Sequence, residues 1–206
     1  MNLQLQHVVI AVLLIWAAIH YTRQPQDESA NTTRQIALST TAFGDLPVQS
    51  ATARAPFSYK EYRIQPLAEF QLRARVLSRE NYTFDGGAKL SPIDLALGWQ
   101  RMAQPEIYRA LNITQGGRWY RYSWHDQPPI PLQEIIESSA NMHLIPANET
   151  VERMLKQAKP ASYIRLKGLL VEASTAQGWH WRSSLSRADS GDGSCELVFV
   201  EAAWVE

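Results

Sequence analysis

Cysteine is almost absent: the chain of 206 residues has one, Cys195. No intramolecular disulfide and no Cys-rich zinc site can form. Neither sign of charge is in excess, with 20 Lys plus Arg against 20 Asp plus Glu. The basic footprint of a nucleic-acid-binding protein is therefore missing, and no nucleic-acid partner is expected. No uninterrupted apolar run reaches the length of about 18 residues that marks a comfortable membrane span. Walker A, Rossmann, kinase, G-x-S-x-G and S-x-x-K patterns are all lacking. So is any metal-ligand spacing among His125, His143 and His180, and no metal or cofactor is expected. Asp189, Asp192 and Gly193 loosely echo a calcium loop, but the alternation and distal Glu of an EF-hand are missing, and a hairpin turn explains them better.

What is present starts near the N-terminus. Val8 to Ile19 is twelve residues with no polar side chain except the Trp16 indole. Apolar on every side, it is not an amphipathic surface helix. With His7, His20, Tyr21 and Thr22 as interfacial flanks it approaches the lower limit of a bilayer span. A cleaved signal peptide is the alternative, but no Lys or Arg precedes the apolar core and no small-x-small site follows it. The expectation is an uncleaved anchor over residues 1–22, contacting the lipid bilayer through residues 8–22. Arg23 and Arg34 lie after it, and a strict positive-inside count would hold the domain in the cytoplasm. A short N-terminus before one hydrophobic segment instead favours export. The expected location is the bacterial inner membrane, single-pass, with the domain in the periplasm.

Residues 23–55 are rich in Gln, Thr, Ser, Asp and Asn, with scattered apolar residues and no period, and read as a flexible linker. Residues 56–206 read as the globular domain. Hydrophobic residues form 45% of the chain and charged residues 19%, a globular composition. Phe57–Lys60 and Phe70–Val76 alternate as half-buried strands. Ser91-Pro92-Ile93-Asp94 has the form of a capped helix start, with Leu95, Leu97 and Trp99 following. Pro105 and Pro131 each open a short helix, and Asn148 caps another whose buried face is Val151, Met154, Leu155 and Ala158. Trp119–Trp124 and Met142–Ile145 are extended. The last third holds three strands, over residues 163–173, 178–185 and 194–204, whose short polar connections predict an antiparallel meander. The expected class is α+β: a mainly antiparallel, curved or partly closed sheet with three to four short helices, preceded by the hydrophobic helix.

Three phrases carry a resemblance: Ser91 to Trp99, Ser139 to Pro146, and Ser183 to Arg187 followed by Gly193-Ser194-Cys195-Glu196. They resemble a group of uncharacterised bacterial proteins with an N-terminal membrane anchor and a single folded domain, over roughly residues 57–200. No activity is attached to that group, so the resemblance transfers no functional residue.

Candidate chemistry follows from residue types. Cys195 could act as a nucleophile with His143 as base and Asn141 as orienting group. A structural thiol at the start of a strand is the plainer reading, because reactivity needs a cationic neighbour or a helix N-terminus. Trp179, Trp181, Arg182 and Arg187, beside Ser183, Ser184 and Ser186, could form a small-ligand site, Arg187 taking a carboxylate. Six of the seven tryptophans lie after residue 56; when exposed, such rings bind sugars, peptides or single strands, and otherwise they pack a core. The expected function is a non-enzymatic, membrane-tethered periplasmic domain that binds a protein partner in the cell envelope. The alternatives are a Cys195/His143 envelope hydrolase or transferase and a small-ligand-binding module.

Overall fold

The alternation noticed at Phe70–Val76 belongs to a much longer strand. In the computed structural model, which describes residues 44, 46–189, 191 and 193–206, Tyr62–Asn81 is one 20-residue strand, β3, burying every second side chain over most of its length. The expected anchor and most of the expected linker lie outside the described residues. No helix of the described residues is long and apolar enough to cross a membrane. Two short strands precede β3 and pair antiparallel with it: β1 (Val48–Ser50) and β2 (Phe57–Tyr59). Residues 48–50, composed like the linker, are thus sheet, and Arg54 forms ion pairs with Glu69 and Glu201.

Five strands close into a ring. β3 pairs antiparallel with β8 (Tyr163–Ser174) from Arg63 to Arg75, then with β4 (Ile93–Gly98) from Arg75 to Asn81. Strand β4 pairs with β7 (Ser139–Pro146), β7 runs parallel to β10 (Glu196–Val205), and β10 returns to β8. The sheet is thus mixed but mostly antiparallel. β3 serves two neighbours because it bends: its register slips at Pro66/Ala68 and Val76/Ser78, irregularities that sharpen twist. Pro66 has no N–H to give the ladder and sits at such a slip, where one is not needed.

Inside the ring lie Leu72, Val76, Leu95, Leu97, Met142, Leu144, Leu166 and Val198. Helix α3 (Glu149–Gln157) joins this core through Val151, Leu155 and Ala158, with Met154 partly buried. Its start is fixed as expected: the Asn148 side chain accepts the Val151 N–H at 3.0 Å. Between β4 and β7 the chain inserts a 3-10 turn (Gln100–Ala103), helix α1 (Pro105–Tyr108), the hairpin β5 (Asn112–Gly116) and β6 (Trp119–Ser123), and helix α2 (Leu132–Glu137). This insertion has its own small core around Met102, Ile107, Ile130 and Ile135.

Two expectations are corrected. Ser91 to Trp99 does not open a helix; residues 93–98 are strand β4, buried on both faces. A short apolar run of that kind looks the same in sequence whether it becomes a buried helix or a central strand. Asp94, read as a helix-capping group, points sideways to two other segments. The C-terminal strands are not a simple meander either. β9 (His180–Arg182) and β10 lie end to end along one side of β8, with Arg182 opposite Glu172 and Val198 opposite Leu170. Residues 184–195 are an excursion from this interrupted strand. Its neck is closed by Ser184 N–H donating to the Cys195 carbonyl at 3.0 Å and Leu197 N–H donating to Ser183 Oγ at 3.1 Å.

Closure demands close backbone approach at Gly168 on β8. A Cβ there would stand 2.0 Å from the Phe199 carbonyl oxygen on β10, and backbone cannot yield as a side chain can. Gly168→Ala is expected to lower stability by more than about 3 kcal/mol. Urea unfolding followed by tryptophan fluorescence measures it, and an unshifted midpoint would contradict this packing of β8 on β10.

Candidate functional site

Alternation along β4 and β7 sends Ile93, Leu95, Met142 and Leu144 inward and leaves Asp94, Asn141 and His143 on the outer face. Asp94 stands directly opposite His143 in the antiparallel pair. The result is a buried carboxylate beside a buried imidazole, with Asp94 fully enclosed and His143 only 2% exposed. His143 Nδ1 lies 2.8 Å from Asp94 Oδ2. Nδ1–H donates to the carboxylate, which leaves Nε2 as the ring nitrogen turned away from Asp94. No group among the described residues bonds to Nε2.

A buried carboxylate needs a cation or several donors. Arg118, on the turn between β5 and β6, supplies one: its Nη1 donates to Asp94 Oδ1 at 2.7 Å. The same guanidinium grips Asp85 with two bonds, Nε to Oδ2 at 2.9 Å and Nη2 to Oδ1 at 2.8 Å. It lies 3.7 Å from the Tyr82 ring and 5.4 Å from that of Trp181. Bonding to Arg118 holds the Asp85 carboxyl below the usual carboxylate range, and burial raises the Tyr82 phenol. Arg118 itself has φ +69°, in the left-handed region, which a non-glycine residue occupies at a cost. Its backbone N–H donates to Tyr82 Oη at 2.9 Å, and its carbonyl accepts from Asn141 Nδ2 at 3.0 Å. These bonds hold the strained turn in place.

Around this cluster the outer surface sinks into three adjoining recesses. The first, about 330 Å³, is lined by Asp85, Gly86, Gly87, Gly117, Arg118, Trp179 and Trp181. Gly87 matters here, since a Cβ would meet the Trp181 ring at 2.9 Å. The second, about 350 Å³, is a basin bounded by Arg118, Trp119, His143, Trp181, Arg182 and Cys195. The Trp181 ring leans on His143 with centroids 4.6 Å apart. The third, about 180 Å³, lies beneath Trp119, Tyr120 and Tyr122, with Asn141, Arg187, Asp189, Cys195 and Glu196 among its walls. Trp119 and Trp179 are each 37% exposed, and Phe84, on the turn that carries Asp85, is 98% exposed.

The structure distributes the sequence-derived candidates unevenly. Cys195 and His143 line the same basin. Asn141 does not orient His143; its Nδ2 lies 3.9 Å from Cys195 Sγ, and its Oδ1 accepts from Gln115 Nε2 at 2.7 Å. Asp94 takes the orienting place instead. Burial, followed by the neighbouring Glu196 charge, pushes the Cys195 thiol up to about 11, opposite to what a nucleophile needs. Trp181 and Arg182 reach the basin and Trp179 the first recess, whereas Arg187 turns to the third recess and pairs with buried Glu196 at 2.8 Å. Sequence reasoning passes over Asp85 and Arg118 as site residues, reads Asp94 only as a helix cap, and counts Trp119 only among the tryptophans. Nothing in the local pattern marks Asp85, Asp94 or Arg118 as a cluster, because each acts through a partner more than 20 residues away. Among the described residues no three metal-ligating side chains come together.

Glu196 is the other buried acid. Burial lifts it from an ordinary 4.5 to about 8, against the pull of Arg187. Its second oxygen and Arg187 Nη1 have no hydrogen-bond partner among the described residues. Because the folded pKa is the higher, the folded state holds a proton that the unfolded chain has already released. This group's contribution is therefore complete below about 4.5, declines through the interval, and is lost above about 8. Glu196→Gln is expected to flatten the fall of the melting temperature across that window. Thermal melts at stepped pH read this directly, and identical slopes for the two proteins would refute it.

Comparison of the chain with protein-family models, with curated proteins and with solved structures finds no match to any of them.

Proposed function

We propose that the protein is a non-enzymatic binding module of the bacterial cell envelope, tethered to the inner membrane by its N-terminal segment, and that it engages its partner through the three-recess face. The observation that carries this reading is exposed Trp119 at the basin and exposed Trp179 in the adjoining first recess, over a floor locked by the Asp94–Arg118–Asp85 and Asp94–His143 contacts. Rigid polar floors with aromatic rims are what recognition sites require. The ring order β3–β4–β7–β10–β8, with β7 and β10 (third and fifth of the five in chain order) parallel and a helix between β7 and β8, has the strand arrangement of a five-stranded OB-type barrel. In that architecture the second and third strands, with the loops after the first and fourth, form the binding face. Here those positions carry Asp94, His143, the 82–92 turn and the 175–195 segment. Fold alone assigns no ligand, and the support lies in the site itself.

The tether and the partner are tested together. Full-length protein is expected to pellet with membranes, and to retain on mild detergent extraction an envelope protein that Trp119→Ala releases. Recovery of the protein in the soluble fraction, or a partner indifferent to Trp119→Ala, would overturn the proposal.

One observation favours a second reading, cysteine-dependent hydrolysis or transfer: Cys195 and His143 share the basin, and Asp94 backs the imidazole. The raised thiol opposes it. Alkylation of Cys195 by iodoacetamide is expected to be slow at neutral pH and to accelerate until about pH 11. Rapid labelling at neutral pH would favour the thiol enzyme over the binding module.

A further inference from the structure

The three recesses form a series rather than three separate hollows. Arg118 and Trp181 line both the first and second; Trp119 and Cys195 line both the second and third. Every recess has an aromatic wall: Trp179 and Trp181 in the first, Trp119 and Trp181 in the second, Trp119, Tyr120 and Tyr122 in the third. A surface of this kind repeats one chemical feature from recess to adjoining recess, and it suits an oligomer with one ring per recess.

Charge decides which oligomer. Each arginine lining the series is already engaged: Arg118 by Asp85 and Asp94, Arg182 by Glu172, Arg187 by Glu196. Asp189 adds a further carboxylate to the third recess, accepting from Ser184 Oγ at 2.6 Å. Three arginines thus face five carboxyl groups, so acids outnumber cations along the series and it offers no continuous positive track. A single-stranded nucleic acid needs a positive track beside its stacking rings. A sugar needs none. Its C–H faces pack on aromatic rings, and its hydroxyls both donate and accept. The exposed carboxylates of Asp85 and Asp189 keep lone pairs that can accept from hydroxyls.

Resting on the binding role proposed above for this face, we infer that its ligand is an uncharged oligosaccharide strand, one sugar ring seated in each recess. A tetramer of β-1,4-linked N-acetylglucosamine serves as the probe, titrated into detergent-solubilised full-length protein and read by intrinsic tryptophan fluorescence. An eight-residue oligothymidylate serves as the anionic competitor class. The expected result is saturable binding of the sugar that is unchanged between low and high salt. Trp119→Ala should weaken it about tenfold, equivalent to about 1.4 kcal/mol, at an unaltered melting temperature. Leu132→Ala, an exposed change on α2 outside the recesses, should bind like the wild type. Trp119-dependent binding of the oligothymidylate, weakening with salt, would overturn the sugar assignment while leaving the face a binding site. Failure of both probes with the wild-type protein would also overturn it, and the membrane co-purification experiment would then decide separately whether the partner-binding role stands.

Discussion

A single carboxylate ties the site together. Asp94 is sealed from solvent and accepts from His143 on β7 and Arg118 on the β5–β6 turn. Such a group is tolerated only when its charge is compensated, so strand β4, strand β7 and the inserted hairpin are held to one arrangement. Arg118 extends the constraint to the 82–87 turn through its two bonds to Asp85 and its stacking on Tyr82. Four segments, spread over residues 82 to 143, thereby converge, and the aromatic rims of the recesses inherit their positions from them.

The barrel supplies the frame on which this happens. Closure through β3 pairing with both β4 and β8 leaves the outer face of β4 and β7 free of a neighbouring sheet. The insertion between these two strands then folds its hairpin over that face. On the other side, the last strand is interrupted for residues 184–195, and the neck of that excursion sets Cys195 beside Asn141. The two walls of the recesses are thus interruptions of an otherwise regular ring. Loops borne on a rigid scaffold are where recognition is usually built.

The two buried acids differ in their partners. Asp94 has two donors on its two oxygens, whereas Glu196 meets one guanidinium edge and leaves its second oxygen unpaired. Desolvation therefore dominates at Glu196 and raises its pKa. The effect carries over to Cys195, whose thiol is pushed up by its own burial and then by that neighbour. A thiol in this setting packs like a small apolar group.

The sequence by itself determined whatever depends on near neighbours. The α+β class, the Asn148 cap, the buried face of Val151, Leu155 and Ala158, and the alternation from Phe70 to Val76 are all local signals, and the structure carries each of them. It also singled out His143, Cys195, Trp181 and Arg182, because their chemistry is conspicuous one residue at a time. Only the tertiary structure decided that residues 93–98 extend rather than coil, that β10 runs beside β7, and that Asp94 rather than Asn141 faces His143. Those outcomes rest on pairings between residues tens of positions apart. A strand buried on both faces, a parallel neighbour and a carboxylate's distant partner leave no periodic trace in the chain that encodes them.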